Sequence, residues 1–194
     1  KSIQNKKGEL VCKKPFPSMP LKFWNDKNNK KFEKAYFQRF KNIWHHGDYA
    51  EVKKSDGYII YGRSDTTLNP GGVRLGTAEI YSEVEKFKQV KESLAVGQSW
   101  DNDIRIILFI ILNKGYDLNN DLVKKIKKQI RINASPRHVP EKIISVTDIP
   151  RTKNGKIVEL AVKNVIEGNK IINKEALANP EILDQFKNLK ELMN

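Results

Sequence analysis

The chain has 194 residues, of which 39% are hydrophobic and 30% are charged, and its formal net charge is +13 at pH 7. That length fits one medium domain, or a small domain with a piece of another. The longest apolar stretch, residues 104–112, contains Arg105 and is much shorter than the roughly 20 apolar residues of a membrane span. We therefore expect a buried strand there, and no membrane association.

The basic excess lies mainly in the first third of the chain. Residues 1–64 contain 15 basic and 6 acidic residues, whereas residues 65–194 contain 21 and 17. Much of the excess sits in Lys- and Asn-rich pieces at 25–34 and 124–131, which is typical of a solvated face. We do not expect a nucleic-acid partner, although a stand-alone basic module that binds nucleic acid or another partner stays open as an alternative. An anionic small molecule is also compatible with this charge.

The single cysteine, Cys12, excludes an internal disulfide, and three histidines beside it are too few to favour a structural zinc site. The N-terminus has no signal-peptide apolar region and does not begin with Met. These features predict a cytoplasmic protein, and either a shortened chain or a segment of a longer one.

The first part of the chain is predicted to be mostly β. GELVC (8–12) favours a short strand, and FEKAYFQRF (32–40) favours one or two helical turns. YAEV (49–52) and YIIYG (58–62) flank Ser-Asp-Gly at 55–57, which is typical of a β-hairpin.

From Thr77, a candidate N-cap, the apolar residues recur at helical spacing. Later segments are predicted as strands at 93–98, 104–112 and 142–149, helices at 118–130 and 158–166, and a last helix that opens at Pro180. The fold class is therefore α+β: a small C-terminal domain with a β-hairpin and a three-stranded sheet flanked by helices, preceded by a mostly β segment.

Two stretches near the hairpin contain residue types suited to binding a nucleotide. In Gly47-Asp48 the glycine would let a sugar approach, so that its hydroxyls donate to the carboxylate, although a turn aspartate is the plainer interpretation. Arg63 can pair with Asp65 or reach a nucleotide, and Asp65 lies where a pivot between domains would lie. The neighbouring His46 is interpreted as structural.

Two further stretches combine tight turns with cations. Gly71, Gly72 and Gly76 surround Arg74 before the predicted helix, and a helix N-terminus with an arginine favours an anion such as phosphate. In TKNGK (152–156) an Asn-Gly turn fixes the backbone on both sides of Lys156, so the turn can aim this long side chain at a fixed point.

The order GD, GRSD, GGVRLGTAEI, TKNGK resembles the carboxyl end of the AMP-forming acyl-CoA synthetases of the adenylate-forming superfamily. Further stretches narrow the resemblance to the acetoacetyl-CoA synthetases and extend it over essentially the whole chain. They are PFPSMPLKFWND (15–26), AYFQRFKNIWHHGDY (35–49), NPGGVRLGTAEIY (69–81), SPRHVP (135–140) and NGKIVELAVKNVI (154–166).

The resemblance implies that residues 1–64 are the C-terminal part of the large adenylation domain. Residues 65–194 would be the mobile C-terminal domain, with its hinge at Asp65. Members of that family are much longer, and their N-terminal domain carries a Ser/Thr/Gly-rich ATP-phosphate loop and the acid pocket. No stretch of this sequence is a candidate for that loop.

The resemblance also implies a role for each matching residue. Asp48 and Arg63 would bind the ribose hydroxyls of ATP or the acyl-adenylate, and Arg74 would lie near the α-phosphate. Lys156 matches the lysine that acts in adenylation, whereas Lys153 is displaced from it and solvated. On the CoA side, Gly72 would let the pantetheine approach and Arg131 would contact the CoA nucleotide.

The implied reaction converts acetoacetate, ATP and CoA into acetoacetyl-CoA, AMP and pyrophosphate. ATP, in its Mg-bound form, and CoA are substrates, and the resemblance implies no bound metal or prosthetic group in this chain. The missing N-terminal domain is the implied protein partner, so the chain alone is expected to be inactive. A fragment of an acetyl- or propionyl-CoA synthetase stays open as an alternative, because the acid pocket lies outside the sequence.

Overall fold

The computed structural model describes residues 3–171 and 173–193. The chain divides into two compact units, one that ends at Asp65 and one that begins at Thr66. Within the described residues, every helix is too short or too polar to pass through a lipid bilayer. Two small three-stranded sheets flanked by helices confirm the predicted α+β class.

The described residues of the first unit form an antiparallel sheet, one α-helix and a 3₁₀ turn, Lys27–Asn29. Its elements are β1 (Lys7–Cys12), α1 (Lys30–Tyr36), β2 (Trp44–Val52) and β3 (Tyr58–Arg63), with the strand order β1-β2-β3. The predicted hairpin joins β2 to β3, and its turn is closed by a 2.8 Å hydrogen bond from the Lys53 N–H to the Gly57 carbonyl. Aromatic side chains pack α1 on this sheet, since the ring of Tyr36 stacks on Trp44 with centroids 3.7 Å apart.

The second unit is a mixed sheet covered on both faces. Its elements are α2 (Thr77–Val84), β4 (Val90–Trp100), β5 (Asp103–Leu112), α3 (Asn120–Asn133), β6 (Lys142–Ser145) and α4 (Glu159–Ile166). β5 pairs antiparallel with β4 and parallel with β6. Alternate residues of β5 belong to two buried clusters, because successive strand residues point to opposite faces. Ile107 and Phe109 join α4 and the C-terminal segment, and Ile106 and Leu108 join α2 and α3.

Three predicted boundaries were wrong. The strand predicted to reach residue 149 ends at Ser145. The Val146 N–H still donates to the Ile110 carbonyl of β5, but the Thr147 N–H and the Ile149 carbonyl bond to side chains of the C-terminal segment. The helix predicted from Pro180 is a 3₁₀ helix, Pro180–Phe186. Its buried Leu183 and Phe186 are three residues apart, which suits three residues per turn. Gly76, not Thr77, caps α2.

Candidate functional site

Three of the predicted nucleotide-site residues lie together in the first unit. Asp48 on β2 is the direct register partner of Arg63 at the end of β3. The Nη1 of Arg63 donates to Oδ1 of Asp48 at 3.3 Å, and its Nε lies 3.5 Å from Oδ1 of Asp65. The side chain of Arg63 is 52% exposed and that of Asp48 19%. The pair therefore presents a carboxylate acceptor and a guanidinium donor at one edge of the sheet.

Gly47 lets the guanidinium lie against the strand. Its φ is +85°, and a Cβ at this position would sit 2.6 Å from Nη2 of Arg63. The space beside this glycine, which we expected a sugar to use, is occupied by the guanidinium of Arg63. Arg63 also donates to the His46 carbonyl at 3.2 Å. On the other side of the carboxylate, Nδ1 of His46 lies 2.5 Å from Oδ2 of Asp48. Both oxygens of Asp48 are therefore held in place.

A groove of about 630 Å³ lies beside this pair, and the largely buried carboxylate of Glu9 contacts three of its lining residues. Glu9 on β1 contacts Nη2 of Arg39 at 2.8 Å, Nε2 of His45 at 3.0 Å and the hydroxyl of Ser64. Sequence reasoning missed Glu9, because a single glutamate in a short strand gives no signal until its partners, up to 55 residues away, are known. Aromatic and cationic side chains along one groove suit a flat, anionic ligand.

Lys156 stands at the end of a short hairpin in the second unit. The N–H of Thr152 donates to the Lys156 carbonyl at 2.8 Å, and the N–H of Lys156 donates to the Thr152 hydroxyl at 3.1 Å. Gly155 closes the turn with φ +79°, so the predicted Asn-Gly turn is present. The side chain of Lys156 is exposed, as is that of Lys153. The backbone at Lys156 is fixed while its ammonium group remains accessible.

The glycine turn before α2 is ordered by Asp103. Both carboxylate oxygens of Asp103 accept from the Gly71 N–H, at 2.9 and 3.0 Å. Gly71 and Gly72 have φ of +56° and +74°, which is why the turn requires glycine. Gly72 and Arg74 are exposed.

The N-terminus of α2 is capped by a carboxylate of its own first turn, and phosphate binding there stays a prediction. Glu79 in the first turn accepts from the Gly76 N–H at 3.2 Å, and the same carboxylate lies 3.3 Å from Nε2 of the buried His138. Glu79 thus places a negative charge in the first turn of α2, where the helix dipole stabilises it. Arg131, in the last turn of α3, is exposed at the end of the helix that favours a cation.

Each unit contains an ionisable side chain whose hydrogen bonds or burial shift its pKa. Hydrogen bonds from Lys53 and Tyr61 lower the pKa of Glu51 in the first sheet. Burial raises the pKa of Tyr81, whose hydroxyl donates to Glu159 at 3.0 Å and accepts from the Ala95 N–H at 3.0 Å. In the described part of the chain, no group of three or more His, Cys, Asp or Glu residues could hold a metal ion.

No family model matches the chain. It is 58% identical over 192 residues to an acetoacetyl-coenzyme A synthetase of Rhizobium meliloti (strain 1021), which covers 99% of this chain and 30% of the relative. Among solved structures, the acetoacetyl-CoA synthetase from Streptomyces lividans has a TM-score of 0.91 and 36% identity over 100% of this chain and 30% of that one. The anthranilate CoA ligase AuaEII shares the fold, with a TM-score of 0.70 and 24% identity over 80% of this chain and 29% of that one.

The chain thus spans about 30% of the length of the relatives it matches, and it corresponds to their C-terminal part. The predicted resemblance to the C-terminal portion of acetoacetyl-CoA synthetases is confirmed over the whole chain.

Proposed function

We propose that this chain, which matches the C-terminal part of acetoacetyl-CoA synthetases, is the carboxyl-terminal portion of an AMP-forming ligase that joins acetoacetate to CoA. The observation that carries the proposal is Lys156, an exposed cation at the end of a hairpin whose backbone is held on both sides. ATP, entering as its magnesium complex, and CoA would be substrates.

In the adenylation step, a carboxylate attacks the α-phosphate, and the two groups carry like charge. A cation placed between them lowers this barrier, because it stabilises the charge that develops in the transition state. Lys156 would supply that cation. Its fixed backbone limits where the ammonium group can be, so little ordering is left to occur during the reaction.

The ribose of ATP would bind at the Asp48–Arg63 pair. A carboxylate oxygen has two lone pairs, so Asp48 can keep its contacts with His46 and Arg63 and still accept from sugar hydroxyls. The side chain of Arg63 is 52% exposed, so its guanidinium is accessible to a ligand. The exposed edge of this pair is therefore suited to a diol.

The second half-reaction would need the lysine to leave, so that the CoA thiol can reach the acyl-adenylate. We propose that the unit from Thr66 onward rotates about Asp65, where the two compact units meet along the chain. Gly72 would then admit the pantetheine, Arg74 would lie near the α-phosphate, and Arg131 would contact the CoA nucleotide. These roles rest on the family resemblance and on the exposure of the three residues.

The relatives favour acetoacetate over the alternatives. A bacterial relative at 58% identity and an animal relative at 47% identity are both named acetoacetyl-CoA synthetases. These names do not favour an acetyl- or propionyl-CoA synthetase. The same similarity does not favour a stand-alone nucleic-acid module. The cytoplasmic location stays a prediction.

Lys156→Ala, made in a complete enzyme that contains this segment, tests the proposal. Acyl-adenylate formation should fall roughly 10²–10³-fold, the scale for losing one preorganised electrostatic group. Thioester formation from preformed acetoacetyl-adenylate should change little, because the lysine has left by then. Pyrophosphate release and thioester formation measure the two steps separately.

Lys153→Ala is the matched control, with the same charge removed from the same exposed hairpin. We expect adenylation by this variant to stay within roughly twofold of the unmodified enzyme. Equal losses of adenylation in the two variants would show that Lys156 has no special role.

A further inference from the structure

We infer that Asn179 is a positioning residue for the Lys156 hairpin, and that the C-terminal segment serves as the support of this hairpin. The inference rests on the proposed function of Lys156 and adds to it a residue that contacts no substrate. Its basis is a set of hydrogen bonds that joins residues 176–179 to residues 148–153.

The Asn179 side chain bridges both ends of one backbone stretch. Its Oδ1 accepts from the Arg151 N–H at 2.9 Å, and its Nδ2 donates to the Ile149 carbonyl and to Oδ2 of Asp148, both at 3.0 Å. Asn179 is half-buried, so water does not readily replace these bonds. One amide group thereby fixes the backbone directly before the hairpin.

The backbone of the same segment holds the first strand of the hairpin. The Ala178 N–H donates to the Arg151 carbonyl at 2.8 Å, and Thr152 forms a bridge with Leu177. The side chain of Arg151 pairs with Glu92 on β4. The hairpin is thus held by the C-terminal segment on one side and by the central sheet on the other.

The C-terminal segment is itself rigidly placed. Leu177, Leu183 and Phe186 are buried, and the ring of Phe186 packs edge-on against Phe109 of β5 with centroids 4.9 Å apart. A support of this kind matters at Lys156 in particular, because a long side chain can reach a fixed point only if its Cα is fixed.

Amide hydrogen exchange of the full chain, with and without Asn179→Ala, tests the support directly. The amides of Thr152, Gly155 and Lys156, all hydrogen-bonded within the hairpin, should exchange roughly tenfold faster in the variant, because the base of the hairpin loses its bridging amide.

Gln185→Ala is the control, because it removes another half-buried amide of the same segment. Its Oε1 accepts from the Thr147 N–H at 2.9 Å and its Nε2 donates to the Asp148 carbonyl at 2.8 Å, short of the hairpin. In Gln185→Ala, the exchange rates of the hairpin amides should stay within roughly twofold of those in the unmodified chain. This should hold even if Gln185→Ala lowers the global stability as much as Asn179→Ala does. Equal acceleration by the two variants would overturn the inference, whatever Lys156 does.

In a complete enzyme, Asn179→Ala should lower adenylation roughly tenfold and leave thioester formation from preformed acyl-adenylate nearly unchanged. A purely structural role would lower both half-reactions together, and that result would overturn the inference. Failure of the proposed function is distinguishable, because it appears as intact adenylation in Lys156→Ala while the exchange results for Asn179→Ala stand.

Discussion

At the scale of single residues, Gly47 makes the contact between Arg63 and the strand possible. We predict that Gly47→Ala lowers the free energy of unfolding of the chain by about 1–3 kcal/mol, because alanine is strained at φ +85° and its Cβ would collide with the guanidinium. In a complete enzyme, ATP should bind roughly tenfold more weakly, since the displaced arginine no longer aligns with Asp48. Urea unfolding and calorimetric titration with ATP measure the two effects.

Gly8→Ala is the control for this prediction. Gly8 lies on β1 of the same sheet, and a Cβ there would have no neighbour within 4 Å. Stability and ATP affinity should both be preserved. A loss of affinity in Gly8→Ala as large as that in Gly47→Ala would mean that the sheet as a whole, and not the Arg63 contact, sets nucleotide binding.

Single residues were predictable from the sequence only where a local motif identifies them. Lys156 and Asp48 sit in short motifs with turn residues beside them, so the sequence around them predicts a binding or catalytic role, which stays a prediction. Glu9 has partners 30 to 55 residues away and Asn179 has partners 28 to 31 residues away, so no local pattern distinguishes them from surface polar residues.

At the scale of elements, Glu83 ties α2 to α3. Its buried carboxylate accepts from Lys86 at 2.7 Å and from two side chains of α3, Gln129 at 3.0 Å and Asn133 at 2.8 Å. The hydrogen bond from Lys86 is the largest cause that lowers the pKa of Glu83 below its usual 4.5, and the bond from Asn133 is the next. The charged form is therefore the one that stabilises the contact between the helices.

We predict that Glu83→Gln lowers the free energy of unfolding by about 1–3 kcal/mol at pH 7, because an amide places its own N–H groups among these donors. The folded-state pKa is below 4.5, so the stabilisation is fully present above pH 4.5 and is lost as the pH falls through the lower folded-state value. The gap between the two proteins should therefore shrink between pH 7 and pH 3, as measured by urea unfolding.

Glu85→Gln serves as the comparison, since Glu85 is exposed and lies two residues further along the chain. Its effect on stability should stay within about 0.5 kcal/mol at both pH values. A difference between Glu83→Gln and the unmodified chain that stays constant with pH would contradict a role for the charged carboxylate.

Elements with a clear period were predictable, and those whose shape depends on distant partners were not. The β2–β3 hairpin follows from its β-prone runs and turn residues, β5 from its continuous apolar run, and α3 from its apolar face. The chain after Ser145 looks like a continuing strand, yet Gln185 and Asn179 bind its backbone and end it. The 3₁₀ helix Pro180–Phe186 is likewise set by where its buried side chains must fit.

At the scale of the whole molecule, the division into two compact units at Asp65 and Thr66 suggests where motion would occur, and the motion itself stays a prediction. Asp65→Pro, in a complete enzyme, should hold the units in one orientation. Proline fixes φ near −65° and removes the backbone donor, so the dihedral change of a pivot becomes inaccessible. One half-reaction should then fall at least roughly tenfold more than the other.

Asp65→Ala separates this backbone effect from the side chain. It removes the carboxylate that lies 3.5 Å from Nε of Arg63 but leaves φ free. We expect adenylation and thioester formation to change in parallel in Asp65→Ala and to diverge in Asp65→Pro, with pyrophosphate release and thioester formation again measured separately. Parallel losses in both variants, with the melting temperature preserved, would show that the chain does not pivot at this residue. A divergence seen only with proline is what rotation of the second unit about Asp65 requires, since both variants lack the carboxylate and they differ only in the backbone, where proline fixes φ and lacks the N–H.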